Sequence, residues 1–190
     1  MTLEERRKEV NRARLLAASA IFAGLIAVGG LIAIPFPLVP FTLQTLFVYL
    51  SVLKLKRSSL LSVAIYLTMG LVGLPVFAGG AAGYAELVGP RGGFLVGFLA
   101  GSATSGFVIS GISGWRHSQI CALLVCEAII MGAGWLWLSY WVGMAGALWL
   151  GVVLFIPGDA IKIILALLVN KKVRLSFERV YRSLWFVLSN

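Results

Sequence analysis

A chain of 190 residues that is 60% hydrophobic and 12% charged, with a mean hydropathy of +0.98, is not a water-soluble globule, in which about a quarter of residues carry charge. Its formal charge of +9 suggests nucleic acid until the basic residues are located. They alternate by connection between apolar runs, which excludes nucleic acid and points to a bilayer; the runs are helix-length rather than short and alternating, which excludes a transmembrane barrel.

The polar segment Thr2–Arg14 carries Arg6, Arg7, Lys8, Arg12 and Arg14 and suits an anionic headgroup surface. The first span is placed at Leu15–Ile34; no small-residue cleavage site ends it, so it is expected to stay rather than act as a removable signal. It holds small residues four apart, Ala13/Ala17, Ala20/Gly24 and Ala23/Ala27. Such ladders let helices approach closely in lipid, inside the bundle or against another subunit.

Pro35-Phe36-Pro37-Leu38-Val39-Pro40 joins the first span to the second, and its prolines predict an ordered, extended cap. The second span, Val39–Leu55, carries Gln44 one turn in, with Thr42 and Thr45 beside it, as cavity lining or as interhelical contacts. Lys54, Lys56 and Arg57 precede the third span, Leu60–Leu74. The stretch Gly73–Gly93 is glycine-rich yet apolar, which predicts a lid whose backbone approaches a ligand rather than a solvated linker. Gly79, Gly80, Tyr84 and Arg91 are its candidate ligand contacts. Arg91 offers a cation to a carboxylate unless Glu86, five residues earlier, neutralises it.

Spans at Gly93–Ser110 and Gln119–Leu138 flank Arg116, and the latter holds Glu127, whose partner the sequence leaves open. Cys121 and Cys126 match no metal-ligand spacing and read as packing residues. The sixth span, Ala145–Val169, is followed by Lys171, Lys172, Arg174, Arg179 and Arg182. Basic residues before the first span, after every even-numbered span and nearly absent elsewhere place both termini in the cytoplasm. One domain of six helices spanning residues 1–190 is expected.

Within the sixth span lies Phe155-Ile156-Pro157-Gly158-Asp159-Ala160-Ile161-Lys162. Asp159 and Lys162 share a helix face, and charges at membrane depth mark a functional site or a pair that sets helix register. Pro157-Gly158 predicts interrupted helical bonding just before them, with free N–H groups facing a cavity. An apolar site with amide-type hydrogen bonding and one spare cation suits a small monoanion. No phosphate loop, His-Glu-x-x-His or Gly-x-Ser-x-Gly motif occurs, so neither an ATPase nor a hydrolase is expected, and no metal or cofactor.

Three blocks, Ile34–Thr45, Gly73–Gly80 with Gly89-Pro90-x-Gly92-Gly93, and Phe155-Ile156-Pro157-Gly158-Asp159-x-x-Lys162, resemble the BioY family, the biotin-binding S components of energy-coupling factor (ECF) transporters. Arg91 and Phe94 stand where that family usually carries a hydroxyl residue and a tyrosine. The resemblance implies a multi-pass protein of a prokaryotic cell membrane that captures biotin from outside. It implies as partners a transmembrane coupling (T) subunit and ABC-type ATPases, which consume the ATP. It carries Asp159 and Lys162 over as ligand contacts, and Ala13, Ala17, Ala20 and Gly24 as the surface met by the coupling subunit. Asp159 is expected to accept from a ureido N–H, with Lys162 and Arg91 addressing the carbonyl and the carboxylate in an order left open. Another vitamin, or a purely structural membrane subunit, are the alternatives.

Overall fold

The computed structural model describes residues 2–36, 38–112 and 117–189, with side chains as far as residue 173. Pro37 of the proline-rich cap, Arg116, and the side chains of Arg174, Arg179 and Arg182 lie outside the described residues.

The first helix, α1 (Leu3–Leu31), starts well before the apolar run. Thr2 accepts from the Glu5 amide at 3.2 Å and Glu5 accepts from the Thr2 amide at 2.6 Å, a reciprocal cap that satisfies two otherwise orphaned donors. The proline-rich connection is pinned at its base by a two-stranded antiparallel ribbon, β1 (Ala33–Ile34) with β2 (Phe41–Thr42), pairing Ala33 with Thr42 and Ile34 with Phe41. It delivers the chain into α2 (Gln44–Leu55), followed after a tight turn by α3 (Ser59–Leu71). At 12 and 13 residues these two helices are about 18 and 20 Å long. The helix α2 packs against α1, α3, α5 (Gly92–Gly111), α6 (Ser118–Leu148) and α7 (Ile156–Ser189), so it is the post around which the others stand.

The lid between α3 and α5 is built, not loose. It holds a single 3-10 turn, Ala78–Gly80, and the short helix α4 (Tyr84–Val88). Gly79 and Gly80, with φ of +73° and +80°, make the reversal after Phe77 that a Cβ would strain. Phe77 is buried, its ring filling the space where a side chain on Gly70 would project. The Gly83 amide donates to the Gly70 carbonyl at 2.8 Å, closing the loop onto the end of α3.

Helices α5 (Gly92–Gly111) and α6 (Ser118–Leu148) form the most extensive helix pair. Gly93, Gly97 and Gly101 recur every fourth residue and set the spacing: a Cβ on Gly97 would lie 2.9 Å from Ile130 Cα, and one on Gly101 would lie 3.0 Å from the Cys126 carbonyl oxygen. Cys126 is buried and Cys121 half-buried, both as free thiols.

At Gly143 (φ +74°) the helical line breaks. Gly151 then sits beside Leu138, a Cβ there lying 3.0 Å from Leu138 Cδ2, and Asn170 Nδ2 donates to Gln119 Oε1 at 3.3 Å. Residues 51 apart on one straight helix would be separated by about 77 Å, so the chain doubles back at Gly143. A π-helical turn, Trp149–Val153, leads to α7 (Ile156–Ser189). Among the described residues three continuous helical stretches, Leu3–Leu31, Gly92–Gly111 and Ser118–Val173, are long and apolar enough to cross a membrane, and the last includes the Gly143 reversal.

Candidate ligand site

The start of α7 differs from the expected mid-span break. Pro157 falls in the first turn, where its missing N–H costs nothing and its fixed φ favours helix, so the proline starts α7 rather than interrupting it. The Asp159 amide already donates to the Phe155 carbonyl at 2.9 Å, so it is not one of the free N–H groups. Gly158 makes room for the Phe41 ring, which occupies the position of its absent side chain.

That ring also covers Lys162, whose Nζ lies 3.7 Å from the Phe41 centroid, a cation–π contact in a desolvated setting. Lys162 donates to Asp159 Oδ1 at 2.7 Å and to Thr45 Oγ1 at 2.9 Å; Thr45 in turn donates to Asp159 Oδ1 at 3.2 Å. Asp159 is 1% and Lys162 4% exposed. Asp159 Oδ2, equally buried, has no donor among the described residues. A buried carboxyl oxygen without a partner costs free energy, so this atom is one that a ligand N–H would satisfy.

Asp159, Lys162 and Thr45 line a cavity of about 560 Å³, counting the space open at its mouth. Its walls are apolar and aromatic: Val39, Phe77, Phe94, Leu95, Phe98, Ile130, Met131 and Phe155. Phe155 gathers Phe36, Phe41 and Phe94 around it at centroid separations of 5.8 to 6.4 Å. Gln44 lines the cavity too, held by Thr42, which donates to its Oε1 at 3.1 Å, and by the Tyr66 hydroxyl on its amide nitrogen. Arg91 enters from the lid side, and the spare cation expected there is matched: Arg91 Nη1 lies 3.2 Å from Glu86 Oε2 and donates to the Ala78 carbonyl at 3.4 Å. Glu86 lines the same cavity.

The structure therefore brings Asp159, Lys162, Gln44 and Arg91 together. Gly79 and Gly80 instead border a second, more open recess of about 860 Å³ between the proline-rich cap and the lid, which shares Pro40, Ala78 and Arg91 with the first. Tyr84 is 67% exposed on α4 and borders neither. The aromatic wall carries no signal in the sequence, because a phenylalanine in an apolar run looks the same whether it faces lipid, core or ligand. Tyr49 and Tyr66, both fully buried under the site, gave no signal beyond being polar-tipped aromatics inside spans. On α1, Ala23 and Ala27 face the bundle, while Ala13, Ala17 and Ala20 are exposed and a Cβ on Gly24 would meet nothing within 4 Å.

A bundle of apolar helices enclosing an aromatic-walled cavity, lined by a buried acid–base pair and by a partly exposed arginine, defines a membrane protein with a site for a small polar-headed molecule. A family model described as the BioY family matches residues 4–179, and this chain belongs to that family. It is 38% identical over 172 residues to the biotin transporter BioY of Thermotoga maritima, covering 87% of this chain and 99% of that protein. It is 34% identical to a probable biotin transporter BioY of Pyrococcus horikoshii, covering 86% and 98%. Its fold superposes on the crystal structure of an S-component for biotin from an ECF-type ABC transporter with a TM-score of 0.77 at 29% identity, over 92% of this chain and 94% of the other.

Proposed function

We propose that this chain is the biotin-capturing S component of an ECF-type transporter in a prokaryotic cell membrane. It takes biotin from outside the cell and delivers it inward with a transmembrane coupling subunit and ATPases that supply the energy. The observation that carries the reading is Asp159: a buried carboxylate lining an apolar cavity, with one oxygen committed to Lys162 and Thr45 and the other unpartnered among the described residues. A ureido ring offers the N–H donor that Oδ2 lacks, and its carbonyl can take the remaining ammonium hydrogen of Lys162. The carboxylate then belongs at Arg91, because a free charge is least costly to desolvate at the partly open mouth, where the Arg91 side chain is 35% exposed. Gln44 is a further polar contact, and Gly79 and Gly80 act by holding Ala78 and the lid in place.

A six-span arrangement with both termini in the cytoplasm fits the helices α1, α2, α3, α5, the part of α6 before Gly143, and α7. In that orientation the lid and the proline-rich cap are external and the basic segments lie inside. The short α2 is tolerable because it is surrounded by protein rather than lipid, and α3 implies local bilayer thinning. Ala13, Ala17, Ala20 and Gly24 form an exposed small-residue face suited to close approach by the coupling subunit.

Thermal unfolding of the detergent-purified protein with biotin, thiamine or riboflavin tests the reading. A ligand present at a hundred times its Kd stabilises by about 2.7 kcal/mol, so biotin alone is expected to raise Tm measurably. A shift with thiamine or riboflavin instead would reassign the ligand, and no shift with any of them would leave a structural subunit.

A further inference from the structure

The lid runs into α5 through Gly89-Pro90-Arg91-Gly92. The Gly92 amide donates to the Gly89 carbonyl at 3.0 Å, and Arg91, at φ −86° and ψ −13°, has the backbone of the third residue of a type I turn. Pro90 takes the second position, which proline favours. That turn decides where the Arg91 side chain starts, and from it the guanidinium reaches Glu86 and the Ala78 carbonyl and lines the cavity. The helix α4, which carries Glu86, is five residues long and too short to hold its own shape, so its ends must be tied to something larger. Before it, the Gly83 amide meets the Gly70 carbonyl at the end of α3. After it, the tie is Trp137.

Trp137 stands on α6 ahead of the Gly143 reversal. Its indole Nε1 donates to the same Gly89 carbonyl at 2.9 Å, so one oxygen accepts from both the turn and the bundle. The approach is close: a Cβ on Gly92 would lie 3.3 Å from Trp137 Nε1, and one on Gly93 would lie 2.2 Å from Trp137 Cβ. Tryptophans near the ends of membrane helices ordinarily sit with their N–H among headgroups and water. Tyr140 and Trp141, exposed on the next turn, fit that role, whereas Trp137 commits its N–H to the lid. From this geometry we infer that Trp137 is the positioning residue for Arg91: by holding the Gly89 carbonyl against α6 it fixes the turn from which Arg91 projects, and so sets how strongly a ligand carboxylate is preferred over a neutral group. Trp137 does not line the cavity, so its influence on the ligand passes through Arg91.

The role of Trp137 rests on the reading of Arg91 as the partner of biotin's carboxylate. Kd values for biotin and its primary amide are measured for wild type, Trp137→Phe, Arg91→Ala and the double variant, with Trp141→Phe as a control. Trp137→Phe keeps an aromatic ring and deletes the donor. It is expected to weaken biotin binding by about 2- to 10-fold, the worth of one hydrogen bond, and to leave binding of the amide close to wild type. In the Arg91→Ala background the same change is expected to have no further effect on either ligand, because the two residues act in series. Trp141→Phe is expected to match wild type. Equal losses for biotin and the amide, an undiminished effect in the Arg91→Ala background, or no loss at all overturns the inference. Trp137→Leu, which also lacks the donor, replaces the phenylalanine variant if that one does not fold. Hydrogen exchange of the ligand-free protein in detergent is the second arm: faster exchange of the lid segment 89–92 in Trp137→Phe supports the brace, and unchanged exchange overturns it. If wild type binds no biotin, or Arg91→Ala binds it as wild type does, the reading of the site falls and takes the inference with it. If Arg91→Ala loses the preference for the carboxylate and Trp137→Phe keeps it, the inference falls alone.

Discussion

Thr45 and Asp159, 114 residues apart in the chain, meet through a 3.2 Å hydrogen bond from the threonine hydroxyl to Oδ1, while that hydroxyl accepts from Lys162 at 2.9 Å. The hydroxyl both donates and accepts, so it ties α2 to both charged residues of α7 and holds Lys162 on the Oδ1 side. The Oδ2 side of the carboxylate is thereby left for other donors. Thr45→Val keeps the shape and deletes the bridge. It should weaken biotin binding by about 1–2 kcal/mol, roughly 5- to 30-fold, whereas Thr45→Ser should stay near wild type; isothermal titration of the three proteins checks this.

Asp159→Ala removes the ligand's acceptor and strands Lys162 as a buried cation. Loss of one member of such a pair costs about 2–5 kcal/mol, so biotin affinity should fall by about 30-fold to several thousand-fold, with a lower Tm in the ligand-free protein as well. Equilibrium binding together with unfolding separates the two effects. Unchanged affinity would remove Asp159 from the site.

Arg91→Ala acts at the mouth, where solvent screens the charge, and should cost about 1–2 kcal/mol of biotin binding with little change in ligand-free stability. The informative comparison is biotin against its primary amide. Wild type should prefer the carboxylate form and the variant should not, because the arginine supplies that discrimination.

The helical, membrane-spanning character was legible in the sequence because it rests on a bulk property, runs of apolar residues of helix length. Asp159 and Lys162 were legible because charge inside lipid has few reasons to exist. The pairing of Arg91 with Glu86 was visible only as an option, since two residues five apart in a glycine-rich loop meet or part according to backbone angles that glycine leaves open. The place of Pro157 is legible only in part for a related reason. Within an apolar run a proline looks like an interruption, and only the π-turn and reversal before it reveal that a new helix begins there. The Gly93, Gly97, Gly101 series was in plain sight, but small-residue spacing alone does not say which neighbour it fits.

Gly97→Leu tests that series. Its side chain would be driven into the Ile130 backbone, so the ligand-free protein should lose about 1–3 kcal/mol of stability, read as a lower Tm in detergent. Gly132→Ala on the facing helix, where a Cβ meets nothing within 4 Å, should be close to neutral.

Ala17→Trp places a large ring on the open face of α1. Biotin binding by the isolated chain should be unchanged, while co-purification with the coupling subunit and ATPases should be lost. A complex that assembles normally would move the partner surface elsewhere.

At its other end, α1 presses Gly29 and Gly30 against the start of α2. A Cβ on Gly30 would lie 2.7 Å from the Gln44 side-chain nitrogen and 2.8 Å from the Val76 carbonyl at the root of the lid. One unbroken 29-residue rod, free of proline and of left-handed residues, thus has its tip wedged between a ligand-lining amide and the lid. One face of its shaft, that of Ala13, Ala17 and Ala20, lies open to the surroundings. That helix contains no hinge, so a rigid-body displacement of α1 would press Gly29 and Gly30 directly on the Gln44 amide and the root of the lid.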